Sequence, residues 1–226
     1  MVSGKSSNTE TTEDDAAKKR RREMLVALLL LLLADTHHVL TDYATRFLAG
    51  ALTLTELHDA LVTHLTSAHA HAAYLGRSLA GSRKPFGNAD QQFAASVMFG
   101  QVLFLSGLLQ DLQGGKYASN ETGTLPKALT ARLWAYCVRC YGTANEAWGL
   151  ALGPDARFLW FLGVNVERHC EVCPERQAES QVEPYTLDTI PGWPGDCSTP
   201  CLWNCDCTVK TTDGEECFPY PIFLGS

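Results

Sequence analysis

The sequence predicts a mainly α-helical protein, with a helical domain of about four helices followed by a small loop-rich, zinc-stabilised C-terminal module. Three observations predict it. Apolar residues recur at steps of three and four along the N-terminal part of the 226 residues. Prolines and glycines crowd the stretch from Pro184 to Pro200 and exclude long regular elements there. Seven of the nine cysteines lie between Cys170 and Cys217. A hydrophobic fraction of 46% leaves enough apolar material for a core.

Residues 1–23 are Ser, Thr, Asp, Glu, Lys and Arg with almost nothing to bury, and read as a flexible tail. A helix follows from Met24 to about Ala49, with Leu25, Leu28, Leu29, Leu32, Leu40, Tyr43 and Phe47 available for packing. The basic run Lys18 to Arg22 before this apolar stretch has the layout of a secretory signal. The stretch closes at Ala34-Asp35, short of the roughly 20 residues a bilayer span needs, and no Ala-x-Ala cleavage pattern follows. A buried helix, with no membrane segment, is expected.

The second helix carries its own start signal. Thr53 with Glu56 three positions on is a capping box. Leu54, Leu57, Leu61, Leu65, Ala68, Ala72, Leu75 and Leu79 then form a helical stripe that ends near Gly81. The third helix runs from about Ala89, capped by Asn88, to Gln113, with Phe93, Val97, Phe104, Leu105, Leu108 and Leu112 as its buried face. Gly114-Gly115 stops it. The fourth starts near Pro126, a residue suited to a first helical turn, and reaches about Trp148. Phe158 to Val166 is a short apolar segment with strand character that leads into the cysteines. The expected organisation is therefore a tail over 1–23, a helical domain over 24–157 and a Cys-rich module over 158–226.

Within the module, Cys170-Glu171-Val172-Cys173 is a Cys-x-x-Cys knuckle, and Cys201, Cys205 and Cys207 form a second compact group. Two thiolates separated by two residues can face one ion, and four thiolates close a tetrahedral zinc site. The candidate ligands are Cys170, Cys173, Cys201, Cys205 and Cys207, four of the five sufficing, with Cys197 and His169 in reserve. A closed all-thiolate site is structural; catalytic zinc keeps an open position and a positioned base. Binding such an ion contributes on the order of 10 kcal/mol of folding free energy to a module poor in aliphatic side chains.

Other cysteines and histidines read as structural. Cys137 and Cys140 share one face of a helix and act as small hydrophobes. His58, His64, His69 and His71 make no His-Glu-x-x-His motif and are expected to face solvent or to be hydrogen-bonded. P-loop, dinucleotide and nucleophile-elbow motifs are absent from the sequence, and no catalysis is expected. From Glu167 to Cys217 eleven carboxylates face three cationic side chains, so this module is a poor partner for phosphate backbones. Any DNA contact falls instead to Lys18–Arg22.

The helical segment with Arg132, Tyr136, Tyr141 and Trp148 precedes His169-Cys170-x-x-Cys173-Pro174. Pro184-Tyr185-Thr186, Ile190-Pro191-Gly192 and Cys201-Leu202-Trp203-Asn204-Cys205-Asp206-Cys207 come next. Together, over about residues 125 to 210, these elements resemble the phage minor head protein family, also called head morphogenesis proteins. Asp206 stands where that family usually has Arg, and Cys201 where many members carry His. The resemblance implies a non-enzymatic virion component, present in the phage head and in host cytoplasm during assembly. Its implied partners are the portal protein or the major capsid protein, and its implied role is in head assembly, DNA packaging or ejection. Two other readings stay open on the residues alone: a host cytosolic zinc-binding adaptor, and a secreted disulfide-containing protein.

Overall fold

The computed structural model describes residues 8–117, 125–164, 170–200 and 206–220. In chain order it forms α1 (Asn8–Leu48), α2 (Leu54–Leu79), α3 (Asn88–Gln113), α4 (Lys127–Leu152), β1 (Phe158–Phe161), α5 (Val172–Val182) and β2 (Thr208–Thr211). The fold is mainly helical, as its periodicity predicts. Helix α2 is the centre of the bundle and packs against α1, α3 and α4, while α1 also touches α4.

Helix α1 differs from expectation at its start, because residues 8–23 are helical and not a loose tail. The local chemistry explains this. Asp15 lies in the N-terminal part of the helix, where the dipole favours a negative charge, and precedes Lys19 by four residues. Ala16 to Met24 are then nearly all strong helix formers. Part of the basic run is committed to tertiary bonds. Arg21 donates to the Ser78 carbonyl at 2.7 Å, and Arg22 donates to the Cys217 carbonyl at 2.7 Å and pairs with Glu216 at 3.2 Å. By length and composition both α1, over Asp15–Leu48, and α3 are apolar enough to cross a bilayer, so α1 is not the short segment its leucine run implied. In the fold, Leu25, Leu29, Leu33 and Leu40 are buried, whereas Leu28 is 43% exposed.

The capping box of α2 forms: the Glu56 amide donates to Thr53 Oγ1 at 3.2 Å and the Thr53 amide to Glu56 Oε2 at 2.8 Å. Leu57, Leu61, Leu65, Ala68, Ala72 and Leu75 are buried along the expected stripe. Small residues let α2 and α4 close on each other. A Cβ at Gly76 would overlap the Ala144 carbonyl, and Ala72, Ala73 and Ala144 are buried alongside.

Helix α3 begins at Asn88 itself, with Gly87 before it, so the predicted Asn88 cap is displaced. The Gly87 amide instead donates to Asp90 Oδ2 at 2.9 Å. Asp90 also holds Arg77 at 2.6 Å and 2.7 Å, and Arg77 reaches the Lys84 and Pro85 carbonyls, each at 2.8 Å, fastening the α2–α3 connection. The buried face of α3 is Ala94, Val97, Met98, Gln101, Leu105, Leu108 and Leu112. Phe104, expected inside, is 70% exposed. The stripe passes through polar Gln101, and 101 to 105 to 108 leaves residue 104 off the buried line.

Helix α4 extends past Trp148 to Leu152, where Gly153 at φ 93° ends it. Its Cys137 and Cys140 are fully buried, and burial pushes the Cys140 thiol up to about 12, so both act as apolar filler. Strands β1 and β2 pair antiparallel with Phe158 opposite Thr211 and Trp160 opposite Val209, and Phe158 also bridges Tyr185.

Candidate functional site

The Cys-rich module is not purely loop-built, because α5 begins within the knuckle. Cys173 lies in the first turn of α5 and Cys170 just before it. Pro174 follows at a position where its missing amide costs nothing, since first-turn amides have no intrahelical partner. This geometry brings the Cys170 and Cys173 sulfurs to 3.2 Å. Cys173 is 1% exposed and Cys207 2%, and both belong to one buried cluster with Trp148, Phe158, Trp160, Tyr185, Trp193, Val209 and Cys217. The module's core is thus aromatic, which its shortage of aliphatic residues obscured.

Of the five candidate ligands, the structure brings Cys170 and Cys173 into contact and places Cys207 in the same cluster. Cys201 and Cys205, and the reserve His169, lie outside the described residues. Among the described residues no three His, Cys, Asp or Glu side chains gather closely enough to hold an ion. The donor pair nevertheless fits a zinc knuckle in residue type, spacing and proximity, with one sulfur buried at a helix start. Cys217 plays another part. Burial pushes its thiol up to about 11, and its sulfur accepts the Val209 amide at 3.3 Å.

What positions the knuckle is a set of residues that the cysteine pattern did not single out. Helix α5 is sewn to β1 by side chains: Ser180 Oγ accepts the Trp160 amide at 2.9 Å, and Gln177 Oε1 accepts the Leu162 amide at 2.8 Å. Arg176 lies 5.0 Å over the Trp160 ring and donates to Ser198 Oγ and the Pro191 carbonyl, each at 3.3 Å. Tyr185 donates to Glu179 Oε2 at 2.8 Å; burial and that carboxylate push its phenol up to about 12, which keeps it a donor. The recurring three-to-four step of Arg176, Gln177, Glu179 and Ser180 could have marked this polar face in the sequence.

The module is joined to the bundle through α4. Asn145, fully buried, donates to the Pro194 carbonyl at 3.1 Å and accepts the Phe218 amide at 2.9 Å. Trp193 packs edge-on to Trp148 and Phe158 with centroids 6.2 Å and 5.2 Å away. It sits against Gly149, where any Cβ would enter the indole. Asp196 closes the loop by accepting the Trp193 and Ser198 amides, each at 2.7 Å. The Ile190-Pro191-Gly192-Trp193-Pro194 element therefore works as a clamp between the knuckle and α4. Comparison with protein-family models, curated proteins and solved structures gives no match.

Proposed function

We propose that this chain is a phage minor head protein, a structural component of the virion that acts in head morphogenesis near the portal. The observation that carries this reading is the arrangement around the knuckle. The sulfurs of Cys170 and Cys173 meet at the start of α5, and the Pro-Tyr-Thr and Ile-Pro-Gly elements that accompany them in the sequence pack around the same aromatic core. Zinc would be held by Cys170 and Cys173 with two of Cys201, Cys205 and Cys207. It would supply a covalent-like staple for the module and no chemistry on a substrate. The helical bundle is the docking body for the portal or major capsid protein, and the acidic module keeps away from packaged DNA.

Two measurements test the reading. Metal analysis of protein purified under reducing conditions gives about one zinc per chain, lost when Cys170 and Cys173 are both changed to Ser. Absence of metal together with oxidised cysteines would overturn the zinc site in favour of a secreted disulfide protein. Mass spectrometry of purified virions, made by a phage whose portal and large terminase genes adjoin this one, finds the chain in low copy. Zinc-loaded protein absent from such particles would instead support a cytosolic adaptor.

A further inference from the structure

Helix α3 leaves an apolar face in water. Phe99 is 86% exposed, Leu103 79% and Phe104 70%, with Val102 beside them at 43%. With about 200 Å² for a whole aromatic side chain, these four leave a patch of roughly 500 Å² uncovered, at the upper end of what a monomeric surface shows. From Gln91 to Gln110 the helix carries no charged side chain. The carboxylates that bracket this run are already paired, Asp90 with Arg77 and Asp111 with Lys116 and Arg132.

The order of the exposed residues defines what fits there. Gln92, Ser96, Phe99, Leu103, Ser106 and Gln110 are all exposed and follow one another at steps of four, three, four, three and four. That is the spacing of a coiled-coil seam, and it lies opposite the buried side of α3 that faces α2. The seam is also symmetric about residue 101. Against a second, antiparallel α3, Gln92 lies beside Gln110 of the other copy, Ser96 beside its Ser106, and Phe99 beside its Leu103. A two-fold interface requires this property, because each contact of one residue with another recurs in reverse. Covering the serines leaves no donor unmade: Ser96 donates to the Phe93 carbonyl and Ser106 to the Leu103 carbonyl, each at 2.7 Å. Gly100 borders the seam, and a Cβ there would meet nothing within 4 Å among the described residues. The bundle's own packing therefore does not call for a glycine that weakens the middle of α3, whereas a second helix at close range does.

We propose that this face of α3 is a homodimer interface, in which two copies of the chain pair as a short antiparallel coiled coil about a two-fold axis near residue 101. The two patches together cover on the order of 1,000 Å², the size at which specific interfaces begin. The uncharged run lets like meet like without repulsion. A membrane surface suits the face less well: helices that lie on anionic bilayers carry Lys and Arg on their polar side, and α3 has neither. The inference goes beyond the proposed role in a phage head and does not depend on it.

Sedimentation equilibrium of the full chain under reducing conditions tests it. The mass doubles as the concentration rises to about 0.1 mM. Phe99→Glu and Leu103→Glu each weaken association at least about tenfold, because each buries an unpaired charge. Leu31→Glu, at an apolar position of α1 that is 66% exposed, leaves association unchanged. Mixing Phe99→Glu chains with Leu103→Lys chains restores the dimer, since antiparallel pairing sets the new carboxylate against the new ammonium. A monomer at about 0.1 mM, a dimer as sensitive to Leu31→Glu as to Leu103→Glu, or a mixture that stays monomeric would overturn the proposal. A monomer that binds phosphatidylcholine vesicles through Leu103 would overturn it in favour of a lipid surface. Circular dichroism establishes that each variant is folded. Should the charged variants fail to fold, hydrogen exchange of the unaltered chain decides: protection in α3 must rise with concentration more than in α1, and equal protection at both concentrations overturns the interface.

Discussion

His69 shows how one buried polar residue sets a property of the whole chain. It is fully buried between α2, α3 and α4, hydrogen-bonded to Gln101 and Thr143. Burial, aided by repulsion from Arg139, pushes its imidazole down to about 3. The folded state therefore keeps His69 neutral where the unfolded chain, titrating near 6.5, already binds a proton. Its contribution to stability is present above pH 6.5 and is lost as the pH falls from there toward 3, at up to about 1.4 kcal/mol per pH unit. Urea denaturation from pH 7 to pH 4 should show that slope, and it should flatten in His69→Gln. The sequence placed His69 among hydrogen-bonded or exposed histidines, and it is the first. What the sequence could not supply was Gln101, a polar residue on the buried line of α3, whose partner lies on another helix.

At the scale of elements, the connection from α2 to α3 depends on one ion pair. Asp90 is 2% exposed and its carboxyl would resist ionisation in that burial, yet its bonds to Arg77 and the Gly87 amide hold it below the usual carboxylate range. Removing Asp90 leaves the largely buried Arg77 guanidinium without its carboxylate and the Gly87 amide without its acceptor. Asp90→Ala should cost about 3 kcal/mol, read as a lower urea midpoint with unchanged slope. Element positions were legible where local rules dominate. The Thr53–Glu56 box, the α2 stripe and the Gly114-Gly115 stop follow from spacing and local rules. Three features were not legible for physical reasons. The six-leucine run of α1 offers apolar side chains all round and hides which face is buried. The Cys-x-x-Cys-Pro element signals its thiols alone, and Pro174 marks a helix start only once it is seen to occupy a first helical turn. Phe104 is apolar but lies off the line that Gln101 continues.

For the whole molecule, the decisive connection joins the two ends of the described chain. Arg22, in the N-terminal part of α1, holds Glu216 and the Cys217 carbonyl beside β2, and Tyr141 of α4 donates to the Phe218 carbonyl at 3.0 Å. The C-terminal segment is thus closed by the bundle, and the helix that closes it was expected to be a tail. Arg22→Met should cost about 1 kcal/mol, since the pair is partly solvated. Hydrogen exchange in residues 208–220 should accelerate more than in α2. A uniform change across the chain would argue that Arg22 acts only through general stability. Of the candidate ligands, the cysteines themselves were legible because thiol spacing is a local code. Their supports, Asn145, Trp193 and Arg176, were not, because each acts across a contact that no short stretch of sequence contains.

The extension of α1 before Arg21 has a consequence for how that helix forms. Arg21 meets Ser78 near the end of α2, and the helix continues N-terminally of that bond from Arg20 back to Asn8, roughly 20 Å at the usual helical rise, with residues 15–20 exposed. A free peptide of that length would be marginal as a helix, because it would have to form its own first turn. Here the first turn already exists in the anchored part, and the extension only propagates it. The Arg22 contact with Glu216 and Cys217 therefore sits at the base of a helical extension that the anchored turns propagate, where the two ends of the fold meet.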